Sequence, residues 1–191
     1  MKSFSIIYYI SMFFWIFPAI RQYKSNLFWY FLLYAIHDPI AALYFHFTGR
    51  TEEGIGIVFN LLLLLSISWG YRDKNFIKFL LAAAFLVSFI SLFSTRHFVL
   101  YTNLLIHSIL FFLFMLRTLS FVAVNGGLNI FHLFLLLEEI SIFLKFFVLL
   151  FELKTEMAFF ITTTAFEILI ALFFSFYRED NKKLLVTLKE N

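Results

Sequence analysis

Long apolar runs alternate with short polar breaks along the whole chain. A helix needs about 20 mostly apolar residues at 1.5 Å rise each to cross a bilayer. Seven runs approach or reach that length: Phe4–Ile20, Leu27–Phe47, Gly54–Gly70, Phe76–Phe93, Phe98–Leu116, Asn129–Phe151 and Met157–Tyr177. They are continuous rather than alternating over about ten residues, which predicts helices and not the strands of a membrane barrel. The breaks between them are short, and the longest connection, Arg117 to Asn129, contains Asn125-Gly126-Gly127, a turn signal. The expected fold is an all-α integral membrane bundle of seven transmembrane helices. Residues 1–177 form one domain, and 178–191 form a short charged cytoplasmic tail. Leu184, Leu185 and Leu188 give that tail one amphipathic turn, though a solvated tail is the plainer expectation.

Composition supports the apolar reading. The chain has 191 residues, 62% of them hydrophobic and 14% charged, with 31 Phe and a mean hydropathy of +0.91. A water-soluble domain is about half apolar and a quarter charged, so lipid is the expected cover and a cell membrane the expected location. There is no Cys, which excludes disulfides, thiolate nucleophiles and Cys-ligated metal or iron–sulfur centres. The net charge of +3 comes from residues in short loops, with no basic run interleaved with aromatics, so nucleic acid is not an expected partner. The first run follows Met1-Lys2-Ser3 without a small-residue cleavage site and reads as a retained span.

Lys and Arg in the flanks set the orientation. With seven crossings, Arg21, Lys24, Arg72, Lys74, Lys78, Arg117, Arg178, Lys182, Lys183 and Lys189 share one side. Lys2, Arg50, Arg96 and Lys154 share the other, and Lys145 lies inside a run. The richer side is expected to be cytoplasmic, which puts the N-terminus outside and the C-terminus inside.

The chemistry is expected in the middle of the runs. His37 and Asp38 lie at the centre of the second run, His107 of the fifth, Glu138 and Glu139 of the sixth, and Glu167 of the seventh. Pro39 follows Asp38 and removes a backbone donor there. A charge at the bilayer centre costs roughly 2.5–3.5 kcal/mol on insertion scales, so such groups point at protein or at a wet cavity. Four runs therefore bring ionisable groups to one depth. Glu138 and Lys145 are seven residues apart and share a helix face, but about 10 Å separates them along the axis. Asn60, and Asn103 four residues before His107, add a polar stripe, and Thr162, Thr163 and Thr164 approach Glu167. Asp38, Glu138, Glu139 and Glu167 cannot all be ionised in a dry interior. Either some hold protons or cations and water enter. Taken singly, each group also has a structural reading: a lone His or Asn holds helices together, and Lys145 with a Glu makes an ion pair. His37 and His46 are too far apart in height for one metal ion, and neither metal nor cofactor is expected.

Phe17-Pro18-Ala19-Ile20-Arg21-Gln22-Tyr23-Lys24-Ser25-Asn26 resembles the Pro-Gln loop of seven-helix carriers of sugars and amino acids, and the expected orientation agrees with theirs. Ala19 stands where that motif has its Gln, and the fifth run has no second copy, so the family is not assigned. Leu137-Glu138-Glu139 with Phe143 and Phe146 resembles the acidic motif of membrane lycopene cyclases, but without its Pro or a second copy. The last run has neither the Lys that a retinal-binding rhodopsin needs nor the His pair of seven-helix zinc hydrolases.

The expected function is carriage of a small solute linked to protons or cations. Glu138, Glu139 and Glu167 form the proton or cation site, His37 and Asp38 gate or complete it beside His107, and Lys145 balances its charge. A sensor or partner subunit acting through another protein or a further copy of the chain is the alternative. An intramembrane enzyme on a lipid or isoprenoid is the second, and enzymatic activity is not the favoured reading.

Overall fold

A computed structural model of the chain describes residues 2–48, 53–68, 95–154 and 157–187. Six α-helices account for most of them: α1 (Lys2–Arg21), α2 (Phe28–Thr48), α3 (Glu53–Ser68), α4 (Arg96–Asn125), α5 (Ile130–Leu150) and α6 (Met157–Phe176). Each falls on one of the expected apolar runs. The run Phe76–Phe93 lies outside the described residues, as do Arg50, Arg72, Lys74, Lys78 and Lys189. The α2 helix continues through Pro39 without a break.

The expected connection Arg117–Asn129 is corrected. Helix α4 runs 30 residues, to Asn125, or about 45 Å. A single Arg in a Leu- and Phe-rich stretch does not stop a helix; Gly126 does. It sits at φ 63 in the left-handed region, and its N–H donates to the carbonyl of Val122. The next three residues form β1 (Gly127–Asn129), which pairs antiparallel with β2 (Leu185–Thr187) in the register Gly127↔Thr187, Leu128↔Val186, Asn129↔Leu185. A Cβ on Gly127 would stand 2.8 Å from the carbonyl oxygen of Val186, so only glycine allows this approach. Asn129 then caps α5, its side chain accepting from the Phe131 N–H. The tail folds back through one 3₁₀ turn at Lys182–Leu184, and Leu184 is buried against the core.

The helices close a ring in which α1 packs on α2, α2 on α3, α3 on α4, α4 on α5, α5 on α6 and α6 on α1. One end of the ring is filled. Leu27 just before α2, Phe31 of α2, Leu110 and Phe114 of α4, Phe131 and Leu135 of α5, and Ile170 and Phe174 of α6 are all buried there. The Phe174 ring centroid lies 4.8 Å from both Phe31 and Phe131, and Phe134 stacks on Phe173 at 3.9 Å.

The outer surface is apolar and the interior holds the ionisable groups, the reverse of a water-soluble domain. Phe13, Ile20, Leu43, Leu105, Phe112, Leu119 and Leu169 are exposed, whereas His107, His132, Glu138 and Glu139 are buried. Two helices, Arg96–Asn125 and Met157–Phe176, are long and apolar enough to cross a membrane. Helix α5 has comparable length but holds Glu138, Glu139 and Lys145, and α2 holds His37, Asp38 and His46.

Candidate functional site

The α5 helix sets the site because its two adjacent acids must diverge. Neighbouring residues on a helix point about 100° apart, so Glu138 and Glu139 address different partners. Glu139 turns toward α2 and α4. Its Oε1 accepts from the Tyr30 hydroxyl at 2.7 Å, and its Oε2 lies 2.8 Å from Nδ1 of His107. Glu139 is 0% exposed, Tyr30 1% and His107 2%, so this three-helix cluster is buried, with only His107 bordering the central cavity. Hydrogen bonds to a charged group contribute about 1.5–3 kcal/mol each, the scale needed to hold a carboxylate there. The His107 ring stacks on Phe146 at 5.4 Å.

Glu138 turns toward the middle of the ring, sharing a stripe with Ser141 and Lys145 at the three- and four-residue spacing of one helix face. Ser141 and Lys145 both reach Glu167 on α6. The Ser141 hydroxyl donates to Oε1 at 3.1 Å, and the Lys145 ammonium donates to Oε2 at 2.5 Å and to the Thr164 hydroxyl at 3.2 Å. Lys145 thus neutralises Glu167, and Glu138 is left over. Glu138 is 1% exposed, and its Oε2 has no hydrogen-bond partner among the described residues.

A cavity of about 750 Å³ occupies the centre of the ring. It is lined by Glu138, Lys145, Glu167, His107, His37 and Asp38 together with Tyr34, Asn60 and Asn103. Six of the seven expected site residues therefore meet on one space, and the seventh, Glu139, stands behind His107. His37 and Asp38 are bonded to each other, Nδ1 to Oδ1 at 2.9 Å, and both are about a third open to the cavity. The amide of Asn60 donates to that of Asn103 at 2.9 Å, tying α3 to α4. No group of three described His, Asp or Glu side chains is arranged to hold a metal ion. Most lining residues lie between mid-depth and the end where α1, α3, α4 and α6 begin and α2 and α5 finish, and Trp15, Tyr34 and Leu63 reach somewhat beyond the middle of their helices.

The filled end has a polar seal that sequence reasoning missed. Glu179 of the tail accepts a two-pronged contact from the Arg117 guanidinium, at 2.9 Å to Oε1 and 2.7 Å to Oε2, and its Oε1 lies 2.7 Å from Nε2 of His132. Asn129 donates to the Glu179 carbonyl at 3.0 Å. The amide of Gln22, 0% exposed, donates to the carbonyls of Phe174 and Tyr177 at 3.2 and 2.7 Å, closing the end of α6. Burial alone would push the Glu179 carboxyl up, but His132 and Arg117 outweigh it and hold the group below the ordinary carboxylate range. Nothing in the run Arg178-Glu179-Asp180 marks Glu179 as the docked member. Tyr30 and Tyr34 did leave a signal: with His37 and Ala41 they stand at intervals of four, three and four residues, one helix stripe on α2.

Comparison with protein-family models, with curated proteins and with solved structures finds no match to this chain.

Unequal stability effects are expected at the two acids. Tyr30→Phe strips a donor from the buried Glu139 carboxyl and destabilises by about 1–3 kcal/mol, whereas Glu138→Gln exchanges one unpartnered buried polar group for another and changes stability by less than about 1 kcal/mol. Thermal unfolding of the detergent-purified variants reads the difference. At the seal, the native Glu179 value lies below the unfolded one. Its contribution is therefore complete above about pH 4.5 and lost as pH falls through the depressed native value. A pulsed-EPR distance between the tail and α4 should lengthen on acidification, and Glu179→Gln should lengthen it already at neutral pH.

Proposed function

We propose that this chain is a multi-pass membrane protein of seven helices, with the N-terminus outside and the tail in the cytoplasm, that carries a small solute linked to protons or cations. The cavity carries the reading. It reaches from one end of the ring to mid-depth, stops at acid–base pairs able to exchange protons, and is cut off from the opposite end by packed aromatics and the Glu179 seal. That is the form of a carrier open to one side. A site of protonatable acids at mid-depth is what such coupling requires. Helices α3 and α4 both begin at the cavity end, the parity that seven crossings require. The apolar exterior supports burial of the ring in lipid, with the charges of α5 and α2 turned inward.

In this reading Glu139 and His107 form a relay. Glu139 fixes the ring through Nδ1, and His107 lines the cavity, where its other nitrogen exchanges a proton with water or solute. Protonation of Glu167 weakens its hold on Lys145 and changes the charge of the cavity. Passage to the other side requires the Arg117–Glu179–His132 contact and the Gln22 bridge to open. The sensor reading draws its support from that same contact, because it ties the tail to α4 and α5. The enzyme reading calls for a lateral opening from lipid onto Glu138, and Glu138 is 1% exposed inside a closed ring.

Proteoliposomes with a trapped pH dye, offered inorganic cations, amines and zwitterionic amino acids in turn, test the carrier. Solute-dependent proton movement is expected for the wild type, with a loss of about tenfold or more in Glu139→Gln and in Glu167→Gln. Unchanged movement in both variants, or none in the wild type for any solute, contradicts it. The second result together with a stably co-purifying protein favours the sensor.

A further inference from the structure

The cavity shows a mismatch of charge and a choice of wall. Three of the four mid-depth acids have a basic partner: Asp38 has His37, Glu139 has His107 and Glu167 has Lys145. Glu138 has none among the described residues, although it is 1% exposed, lines the cavity and leaves Oε2 unbonded. A buried carboxyl without a counterion either keeps its proton or takes a cation from outside the chain, and a cation entering the cavity would take that proton's place. One unmatched carboxylate calls for a single positive charge.

The walls say which kind. Trp15, Tyr34, Phe146, Phe160 and Tyr8 all line the same space as Glu138. Trp15 and Tyr34 are stacked, with ring centroids 4.9 Å apart. Aromatic faces attract ammonium groups, most of all where water is excluded. A bare inorganic ion would find no set of three converging His, Asp or Glu side chains among the described residues. It would also occupy little of a 750 Å³ cavity, whereas pockets for small organic molecules span about 300–1,000 Å³.

We infer that the cavity binds an organic monocation, an alkyl- or arylammonium compound, with its nitrogen against Glu138 and its carbon groups against Trp15, Tyr34 and Phe146. The inference rests on the reading of this cavity as a substrate site and deepens it by naming the class of substrate. The other basic and acidic groups need no rearrangement to admit such a ligand, because they already satisfy one another.

The test is equilibrium binding to the full chain in lipid nanodiscs, followed by calorimetry and by tryptophan fluorescence. Three probes are used: choline, its uncharged isostere 3,3-dimethylbutan-1-ol, and benzyltrimethylammonium, against sodium and potassium at matched ionic strength. Both ammonium probes should bind saturably, and the uncharged isostere about tenfold more weakly or worse. Glu138→Gln should weaken the ammonium probes roughly 10- to 100-fold, and Trp15→Leu roughly 2- to 30-fold. Absence of ammonium binding, equal binding of the isostere, or displacement by sodium or potassium as effective as by choline would overturn the inference. So would unchanged affinity in Glu138→Gln; should that variant fail to fold, Trp15→Leu and the charged–uncharged pair decide alone. Ammonium binding without flux of any solute removes the carrier and leaves this inference. Flux of another solute without ammonium binding does the reverse.

Discussion

The carboxylate of Glu139 sits where no solvent reaches it, and each of its oxygens is bonded to a side chain from another helix. Tyr30 brings α2 and His107 brings α4 to the middle of α5, and the three helices can separate only by stripping a buried charge of its partners. That cost fixes rotation as well as distance. Turning α5 by one residue would put Glu138 against Tyr30 and swing Glu139 to the outward direction that Ile140 now takes. Once Glu139 faces α2 and α4, Glu138 must face the centre, and Ser141 and Lys145 must face Glu167 on α6. A single satisfied carboxylate therefore orients the polar lining of four helices.

In the proposed lipid setting such contacts matter more. In water, burying Phe31, Phe131 and Phe174 would itself draw helices together. In a bilayer, lipid tails are as apolar as these rings, and association relies on close packing and on polar pairs. The molecule divides these between its two ends. Interlocked aromatics, the Gln22 bridge and the Arg117–Glu179–His132 contact hold one end, while the other keeps a hollow lined in part by ionisable groups.

The apolar runs were legible because a run of that length has few other readings, and every described helix falls on one. The shared depth of His37, Asp38, His107, Glu138, Glu139 and Glu167 was legible for the same reason: depth follows from counting residues. Pairing was not. Lys145 shares a face with Glu138 in the sequence, yet it reaches Glu167, since the choice depends on how α6 leans against α5. The extension of α4 to Asn125 was hidden by Arg117, which reads as a break until Glu179 is seen to receive it. The tail gave no sign of docking, because β1 and β2 are three residues each and a short charged segment resembles any other.

The central claim is a hollow, holding ionisable groups between aromatic walls, that reaches one end of the helix ring and not the other. The chain has no native Cys, so single cysteines report on it directly. Ser11→Cys and Ala42→Cys sit in the lining, whereas Ala171→Cys sits in the packed end, one turn beyond Glu167. In intact cells, a membrane-impermeant thiol reagent added outside should modify the first two and spare the third, which should also resist reagent presented from the tail side in inverted vesicles. Modification of Ser11→Cys and Ala42→Cys from the tail side alone, or of Ala171→Cys as fast as either, would contradict the account.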